Sequence, residues 1–344
     1  MVRKVKRLGL TEDTFVKNIM FGSYKNLDEN LLNKINFEKV VKIISGHLII
    51  PSFYIKCKKI GLLRKFPIDF TEYINEIYEI NKKRNIKIKK EIFEIAYLFN
   101  QNKIKHVFIK GSKNLFENNL FDIGERMIGD IDILIFEKDY KKAISKIEEY
   151  GYKNTDVDKY LVKLDQYKHY PRLTKIGKLA AIEIHRELFN PKYKNIIDKN
   201  EIFKEYEELE DICFPSKKHQ IINLVYNDQI NDLNYVYLNF NYRTLHDFNV
   251  YFKKGVKFYE KYNCKIFKNF LNITDELEIT STKLKINLLK KIRLRIILNY
   301  KIFYKIDKFL CDKIYVPFFK MELKRLLIDK NYQKYLFYKL FYNN

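Results

Sequence analysis

The chain has 344 residues, enough for two or three compact units, and 47% of them are hydrophobic, which argues against extensive disorder. Its formal net charge of +23 suits an anionic partner such as RNA, although a lysine-rich composition alone produces the same charge. The four cysteines are widely spaced and form no C-x-x-C pair, which predicts reduced thiols and neither a cysteine zinc site nor a disulfide framework.

Membrane and export signals are missing from the sequence. No stretch reaches about 18 consecutive apolar residues, the length that a membrane-spanning helix needs. The basic N-terminus lacks an apolar core of signal-peptide length. The sequence therefore predicts a cytoplasmic protein without a transmembrane segment.

The first third of the chain predicts helices. Residues 40–60 are apolar at helical spacing, and Pro51 must break or begin a helix there. Residues 70–100 predict one or two long helices, because apolar residues recur every three to four positions. The apolar residues that we expect to share this spacing are Tyr73, Ile77, Ile80, Ile92, Ile95, Ala96 and Phe99.

Residues 107–135 predict strand, turn, helix, loop and strand. Residues 107–109 are β-branched or aromatic, and Gly111 after them allows a sharp turn and a close approach to a ligand. Ser112 is a candidate N-cap for a short helix over 113–119, whose backbone N–H groups would face an anion.

Two aspartates lie on the second strand of this stretch. Asp130 and Asp132 are two residues apart among isoleucines, so both carboxylates share one face of the strand. Because adjacent carboxylates repel each other, we expect a cation between them. Magnesium prefers oxygen ligands of this kind.

Beyond this strand the pattern predicts one amphipathic helix and a hairpin. The helix covers 139–150 and ends at Gly151, strands cover 160–165, 166–174 and 179–186, and the turn is 176–178. Glu183 and His185 share one face of the last strand, and His169 lies nearly across from His185. A charged Glu183 in an apolar strand is costly unless it faces water, a cation or a partner.

The strand pattern stops at residue 190, and 196–344 predict mostly helices, including 218–226 and 242–258. Arg243 and Asp247 are spaced for a mutual ion pair that braces their helix. Lysines and aromatics interleave in 283–304 and 332–342. This pattern favours a lysine-decorated helical bundle, with an RNA-binding or membrane-surface helix as the alternative.

Four pieces in this order resemble the uncharacterised bacterial nucleotidyltransferases of the DNA polymerase beta superfamily. They are the KGS of residues 110–112, the R-x-x-GDIDILI of 126–135, the GY of 151–152 and the AIEIH of 181–185. The resemblance covers roughly residues 35–255 and is strongest over 103–190. Its specificity lies in the order of the pieces, because D-x-D alone is common.

The resemblance implies an α+β fold of the polymerase-beta type, a small mixed sheet flanked by helices. It also implies a helical N-terminal region (1–102), a nucleotidyltransferase catalytic core (103–190) and a basic, mostly helical C-terminal domain (191–344). The implied reaction is magnesium-dependent transfer of a nucleoside monophosphate from an NTP to a hydroxyl, with two metal ions.

Site residues follow from the same resemblance. Asp130 and Asp132 are expected to bind both metal ions, and Glu183 is expected to bind the ion nearer the acceptor and to assist its deprotonation. The nucleotide phosphates are assigned to Lys110, Gly111 and Ser112, although the gap from Ser112 to Asp130 is longer than the superfamily usually shows.

Three further side chains keep alternative interpretations. Arg126 is interpreted as a phosphate contact or as an ion pair that orients a carboxylate, with a solvated surface arginine as the alternative. His169 and His185 are candidate contacts to the acceptor or to phosphate, and structural hydrogen bonding is the alternative for both. No metal is predicted for either histidine.

The acceptor stays open at this point, because RNA or tRNA ends, a protein hydroxyl and a small molecule all suit the chemistry. The competing function is a catalytically inactive nucleotide- or RNA-binding module on the same scaffold. The three carboxylates argue against this inactive alternative, because holding three negative charges close together is costly and serves no purpose without a bound cation.

Overall fold

The computed structural model describes residues 12–22, 32–154, 168–189, 196–232, 234–237, 240–253 and 265–276, with isolated positions from 292 to 337. Some predictions lie outside the described residues. They are the strand at 160–165, the helix beyond residue 253 and most of the two lysine-aromatic segments of the C-terminal part.

Helices make up most of the described chain. The α-helices are α1 (Glu12–Met20), α2 (Phe37–Gly46), α3 (Ile50–Lys59), α4 (Ile68–Gln101), α5 (Tyr140–Glu149), α6 (Lys199–Lys204), α7 (Lys217–Tyr226), α8 (Asn234–Tyr237), α9 (Tyr242–Lys253) and α10 (Lys265–Glu276). The strands are β1 (His106–Ile109), β2 (Asp130–Ile135), β3 (Lys153–Asn154), β4 (Leu173–Thr174), β5 (Ala181–His185), β6 (Tyr206–Leu209) and β7 (Ile212–Pro215).

A five-stranded sheet in the order β1-β2-β5-β4-β3 forms the centre of the fold. Strand β2 pairs antiparallel with β1 and parallel with β5, so the sheet is mixed. Both central strands are apolar and largely buried, because helices cover the two faces of the sheet. This architecture confirms the predicted α+β fold with a small mixed sheet flanked by helices.

The hairpin that carries Glu183 forms, but both of its strands are shorter than predicted. In the described residues, the strand expected over 166–174 is β4 at Leu173–Thr174 with an isolated bridge at His169. Gly177 adopts a left-handed φ of 82° in the turn, which is a conformation that glycine tolerates. Strand β5 begins at Ala181 instead of residue 179. The reason is that the backbone N–H groups of Leu179 and Ala180 donate to the buried carboxylate of Glu91, and not to a neighbouring strand.

Helix α4 confirms the long-helix prediction as a single helix of 34 residues, although the apolar residues that share the helical spacing are not all buried in its first half. Tyr73 and Ile80 are exposed there, whereas Phe70 and Ile74 are buried. The buried face of this helix also carries asparagines, so the spacing of the apolar residues does not define that face by itself. In the second half of α4 the four predicted residues, Ile92, Ile95, Ala96 and Phe99, are buried as expected.

Two predictions after the first strand are corrected. The helix expected over 113–119 is a 3₁₀ helix at Lys110–Leu115. The strand pattern also continues past residue 190, because β6 and β7 form an antiparallel pair that packs on β1. Lys113 explains both corrections, since its fully buried ammonium donates to Glu207 of β6 at 2.9 Å and to the Pro215 carbonyl at 2.6 Å.

The hydrophobic core continues from one end of the described chain to the other. One cluster joins α1–α4, one face of the sheet and helices α7, α9 and α10. A second cluster fills the space between the other face of the sheet and helices α4 and α5. In the part of the chain that the structure describes, no single helix is long and apolar enough to cross a membrane. Only α2 and α3 together, bent by 119°, reach that length and composition.

Candidate active site

The three predicted carboxylates lie together at one end of the central strands. In the parallel register of β2 and β5, Asp132 is directly opposite Glu183 and Asp130 is opposite Ala181. Period-two alternation keeps Asp130 on the same face of β2 as Asp132. The sheet therefore fixes the relative positions of all three side chains through its backbone.

Asp132, Glu183 and His185 form a cluster that fits a metal ion, since their ligand atoms lie within 4.8 Å of one another. The His185 Nε2 lies 2.8 Å from Asp132 Oδ1 and 3.5 Å from Glu183 Oε2. Burial alone would raise the pKa of Glu183, but the His185 hydrogen bond and the charge of Lys110 bring it well below its ordinary value. Two carboxylate oxygens and an imidazole nitrogen suit a divalent cation.

Asp130 stands beside this cluster and is held by a different cation. Its carboxylate forms an ion pair with Arg172, which the sequence analysis did not identify. Burial raises the pKa of Asp130, and the charge of Arg172 opposes that shift. The predicted hairpin was the available signal, because the pairing Leu173↔Ile182, continued by one residue, places Arg172 opposite Glu183, on the strand beside the aspartates.

Lys110 balances the charge of the carboxylates. Its Nζ lies 2.5 Å from Asp132 Oδ1 and 3.6 Å from Glu183 Oε2. Burial would lower the pKa of Lys110, but the two carboxylates raise it above its ordinary value. Lys110 itself adopts a left-handed φ of 57°, whereas Gly111 does not, so the sharp turn assigned to Gly111 occurs one residue earlier.

Gly111 and Ser112 occupy different environments. Gly111 lines a cavity beside the aspartates, as a ligand-contacting turn requires. Ser112 lies inside the 3₁₀ helix and not at a helix N-cap, and it is fully buried. Its Oγ has no hydrogen-bond partner among the residues that the structure describes. A phosphate contact of Ser112 therefore stays a prediction.

The long gap between Ser112 and Asp130 is occupied by a loop that α4 holds in place. Asn81 Nδ2 donates to the carbonyls of Gly124 and Arg126 at 2.8 and 3.1 Å. Asn85 Nδ2 donates to the carbonyls of Ile123 and Arg126 at 2.7 and 2.8 Å. These four bonds satisfy buried loop carbonyls, which fixes the path of the chain into β2.

Arg126 is mostly buried, with 12% of its side chain exposed, so the solvated surface interpretation is wrong. Its Nε lies 2.7 Å from Asp247 Oδ2, and burial lowers its pKa to about 10. Arg126 thus forms an ion pair, but with a carboxylate of α9 and not with a predicted metal ligand. Among the described residues, Asp247 forms its ion pair with Arg126 and not with Arg243. The predicted Arg243–Asp247 pair is therefore wrong.

The two histidines lie next to each other, as the hairpin pattern predicted. His169 forms an isolated bridge with His185, and their ring centroids are 5.0 Å apart. Burial and the neighbouring His185 both lower the pKa of His169. His185 belongs to the candidate metal cluster, for which the sequence analysis made no prediction, whereas contacts of either histidine with acceptor or phosphate stay predictions.

A cavity of about 190 Å³ opens between the carboxylate end of the sheet and helices α7 and α9. Its near side is lined by Lys110, Gly111, Asn114, Asp130 and Asp132. Its far side is lined by polar side chains of α7, α9 and their flanks, including Gln220, Asn223, Asn227, Arg243, Thr244 and Asp247. The cavity residues of α7 were not predicted, although Gln220, Asn223 and Asn227 recur every three to four positions on this helix and directly after it.

Comparison with known proteins agrees with this geometry. A family model described as an uncharacterised nucleotidyltransferase matches residues 33–254. No curated protein shows a significant match to the chain. The matched range covers well over half of the chain and contains both strands that carry the three carboxylates. The protein therefore belongs to this family of uncharacterised nucleotidyltransferases, as the motifs at Lys110–Ser112 and Arg126–Ile135 indicated.

Proposed function

We propose that the protein transfers a nucleoside monophosphate from an NTP to a hydroxyl acceptor with the help of magnesium ions. The observation that carries this proposal is the parallel register that sets Asp132 beside Glu183, with Asp130 two residues away on the same face. Family membership supports the reaction class. The proposal adds the metal, the mechanism and the residue roles.

Asp130, Asp132 and Glu183 would hold two magnesium ions, because magnesium prefers carboxylate oxygens over imidazole nitrogen. When bound, the ions activate the attacking oxygen and stabilise the charge of the leaving pyrophosphate. We assign His185 to orienting Asp132 through its 2.8 Å contact and not to direct magnesium binding.

Other residues receive roles from their positions. Glu183 would bind the ion nearer the acceptor and assist deprotonation of the acceptor hydroxyl, because it lies on the strand next to the two aspartates. Gly111, Ser112 and Lys110 form the turn that faces the triphosphate, and Lys110 also keeps the carboxylates from repelling one another. Arg126 acts through Asp247 to fix the loop before β2 against α9.

We propose a separate role for each of the three predicted segments. Residues 103–190 would carry the chemistry, residues 1–102 would support it through α4, and the C-terminal segment would contribute α7 and α9, which line the cavity. RNA or tRNA, a protein hydroxyl and a small molecule are all proposed as acceptor classes. The charge of +23 favours RNA among them.

A labelling experiment tests the reaction and identifies the acceptor class together. The purified protein is incubated with magnesium, total cell lysate and each α-labelled NTP in turn, and the products are treated separately with RNase and protease. We expect one labelled product, whose sensitivity to one of these treatments names the acceptor. Resistance to both would indicate a small molecule.

The double variant Asp130→Ala/Asp132→Ala tests the residue assignment in the same assay. We expect labelling to disappear while the circular dichroism spectrum is retained, because the variant loses the metal ligands and not the core. The matched control, Asp69→Ala/Glu72→Ala, removes two exposed carboxylates of α4 and is expected to label normally. Labelling that survives the Asp130/Asp132 change would refute the assigned site.

A further inference from the structure

The lining of the cavity contains polar atoms that are buried without partners, one of them on the near side and two on the far side. Asn114 and Asp247 are 3% and 2% exposed. Asn114 Nδ2, Asp247 Oδ1 and Arg243 Nε have no hydrogen-bond partner among the residues that the structure describes. All three side chains line the cavity. Buried polar groups are nearly always satisfied, so atoms of this kind indicate a ligand that completes their hydrogen bonds.

The chemistry of these atoms restricts the ligand. Asn114 Nδ2 and Arg243 Nε donate hydrogen bonds, whereas Asp247 Oδ1 accepts one. A ligand that satisfies them must therefore present both acceptors and a donor. Asp247 and Asp232 line the cavity together with Arg126 and Arg243, so the charges at this end balance and leave no surplus of cations for a triphosphate. The triphosphate belongs at the opposite end, beside Gly111 and the proposed magnesium ligands.

Apolar side chains restrict the ligand further. Met127, Ile128 and Leu224 line the same cavity between the polar groups. A ligand that has a polar edge and apolar faces fits this alternation, whereas a sugar presents hydroxyls in several directions. A nucleobase has this construction, with donors and acceptors along one edge and two apolar faces.

We infer that the nucleobase of the donor nucleotide binds against the far side of the cavity, and that Arg243 and Asp247 there, together with Asn114 of the near side, make the protein selective for one base. This inference rests on the proposed function for its choice of the donor as ligand. Gln220 connects the two ends of the cavity, because its Nε2 donates to the Lys110 carbonyl at 2.7 Å. A site built to hydrogen-bond a ligand strongly rejects analogues that leave its buried groups unpaired.

Equilibrium binding with and without the base tests this assignment. Calorimetry measures the affinities of the four magnesium NTPs and of inorganic tripolyphosphate for the full-length protein. The variants are Arg243→Met and Asn114→Ala, and Arg64→Met is the control that removes an exposed arginine of the same charge. Thermal unfolding of each variant checks that it is folded before its affinities are compared.

We expect the wild type and Arg64→Met to bind one NTP at least about tenfold more tightly than the others, the size of one buried hydrogen bond to a base. Each cavity variant is expected to lose that preference while its tripolyphosphate affinity stays unchanged. Equal affinities for the four NTPs in the wild type would overturn the inference, as would a preference that survives in both folded variants.

Parallel transfer assays separate the two proposals. Monophosphate transfer that uses all four NTPs equally would overturn the nucleobase site and leave the proposed reaction standing. Base-selective binding that both variants abolish, in a protein without transfer activity, would support the nucleobase site and overturn the proposed reaction. A wild type that binds no NTP would overturn both.

Discussion

Burial changes the role of charged residues in this protein, and Arg126 is the clearest example. Its position before the two aspartates predicts a phosphate contact, which stays a prediction, and in the structure its mostly buried guanidinium pairs with Asp247. Removing one partner of a buried ion pair leaves an uncompensated charge, which is costly, whereas replacing both partners costs little. This asymmetry distinguishes a structural Arg126 from a ligand-binding one.

Arg126→Met is therefore expected to lower the free energy of unfolding by about 3 to 5 kcal/mol, because Asp247 stays buried without a partner. The double variant Arg126→Met/Asp247→Leu is expected to recover most of this loss. Urea unfolding at pH 7 measures both, with Arg64→Met as the exposed control. Unchanged stability of the single variant, combined with weaker nucleotide binding, would show that Arg126 contacts phosphate after all.

Asp228 gives the molecule a predicted pH dependence. It is 1% exposed, and burial raises its pKa from 3.8 to about 6, although Gln229 and Asn234 donate to it. Between these two pKa values the folded state holds a proton that the unfolded state has lost. Stability therefore falls as the pH rises through this window, by roughly 3 kcal/mol for this one group.

The comparison with Asp228→Asn isolates this effect, since the variant cannot ionise. We expect the free energy of unfolding of the wild type to fall relative to the variant between pH 4 and pH 7. Urea titrations at several pH values measure the difference. A difference that stays constant with pH would contradict a raised pKa for Asp228.

Among the elements, helix α4 does the most to position the candidate site. Asn81 and Asn85 bind the loop before β2, and Glu91 binds the backbone just before β5. One rigid helix thus holds the starts of both strands that carry the carboxylates. Gly124 shows how close this packing is, since a Cβ there would lie 2.6 Å from the Tyr78 ring.

Asn85→Ala is expected to cost about 1 to 3 kcal/mol of stability and to reduce transfer activity, because the Ile123 carbonyl loses its donor and the Arg126 carbonyl keeps only the bond from Asn81. Asn100→Ala, near the exposed end of the same helix, is the control and is expected to change little. Urea unfolding and the labelling assay measure the two effects. Equal stability of both variants would contradict the positioning role of Asn85.

At the scale of the whole molecule, the main hydrophobic core crosses the predicted segment boundaries. It contains Phe15, Val107 and Phe270, one from each of the three predicted segments. A shared core couples the folding of its parts. We therefore expect one cooperative transition in calorimetry, detected at the same temperature by circular dichroism and by tyrosine fluorescence. Two separated transitions would indicate segments that fold independently.

The sequence predicted the parts of this architecture that depend on local pattern. The alternation around Asp130 and Asp132, the Gly177 turn and the His169–His185 pairing all follow from period two, and the structure contains them. Ordered motifs identified the family before any geometry was known. These features are local or depend on a single short hairpin.

Predictions failed where distant segments meet. The Arg126–Asp247 pair joins residues 121 positions apart, and the Lys113 contacts with β6 and β7 explain a hairpin that composition alone did not reveal. The hydrophobic pattern of α4 did not identify its buried asparagines, because these side chains are buried to donate hydrogen bonds to a loop elsewhere in the chain. The amides that line the cavity were not predicted either, because the residues that they face come from another part of the chain.

The central claim is that the carboxylates of β2 and β5 catalyse monophosphate transfer. The most direct measurement incubates the protein and lysate with magnesium and the same NTP labelled either at the α- or at the γ-phosphate. We predict that the acceptor is labelled from the α-position only, that the γ-label appears in pyrophosphate, and that Asp132→Asn loses both signals while Asp69→Asn keeps them. Acceptor labelling from the γ-phosphate, or transfer that Asp132→Asn retains, would contradict the account.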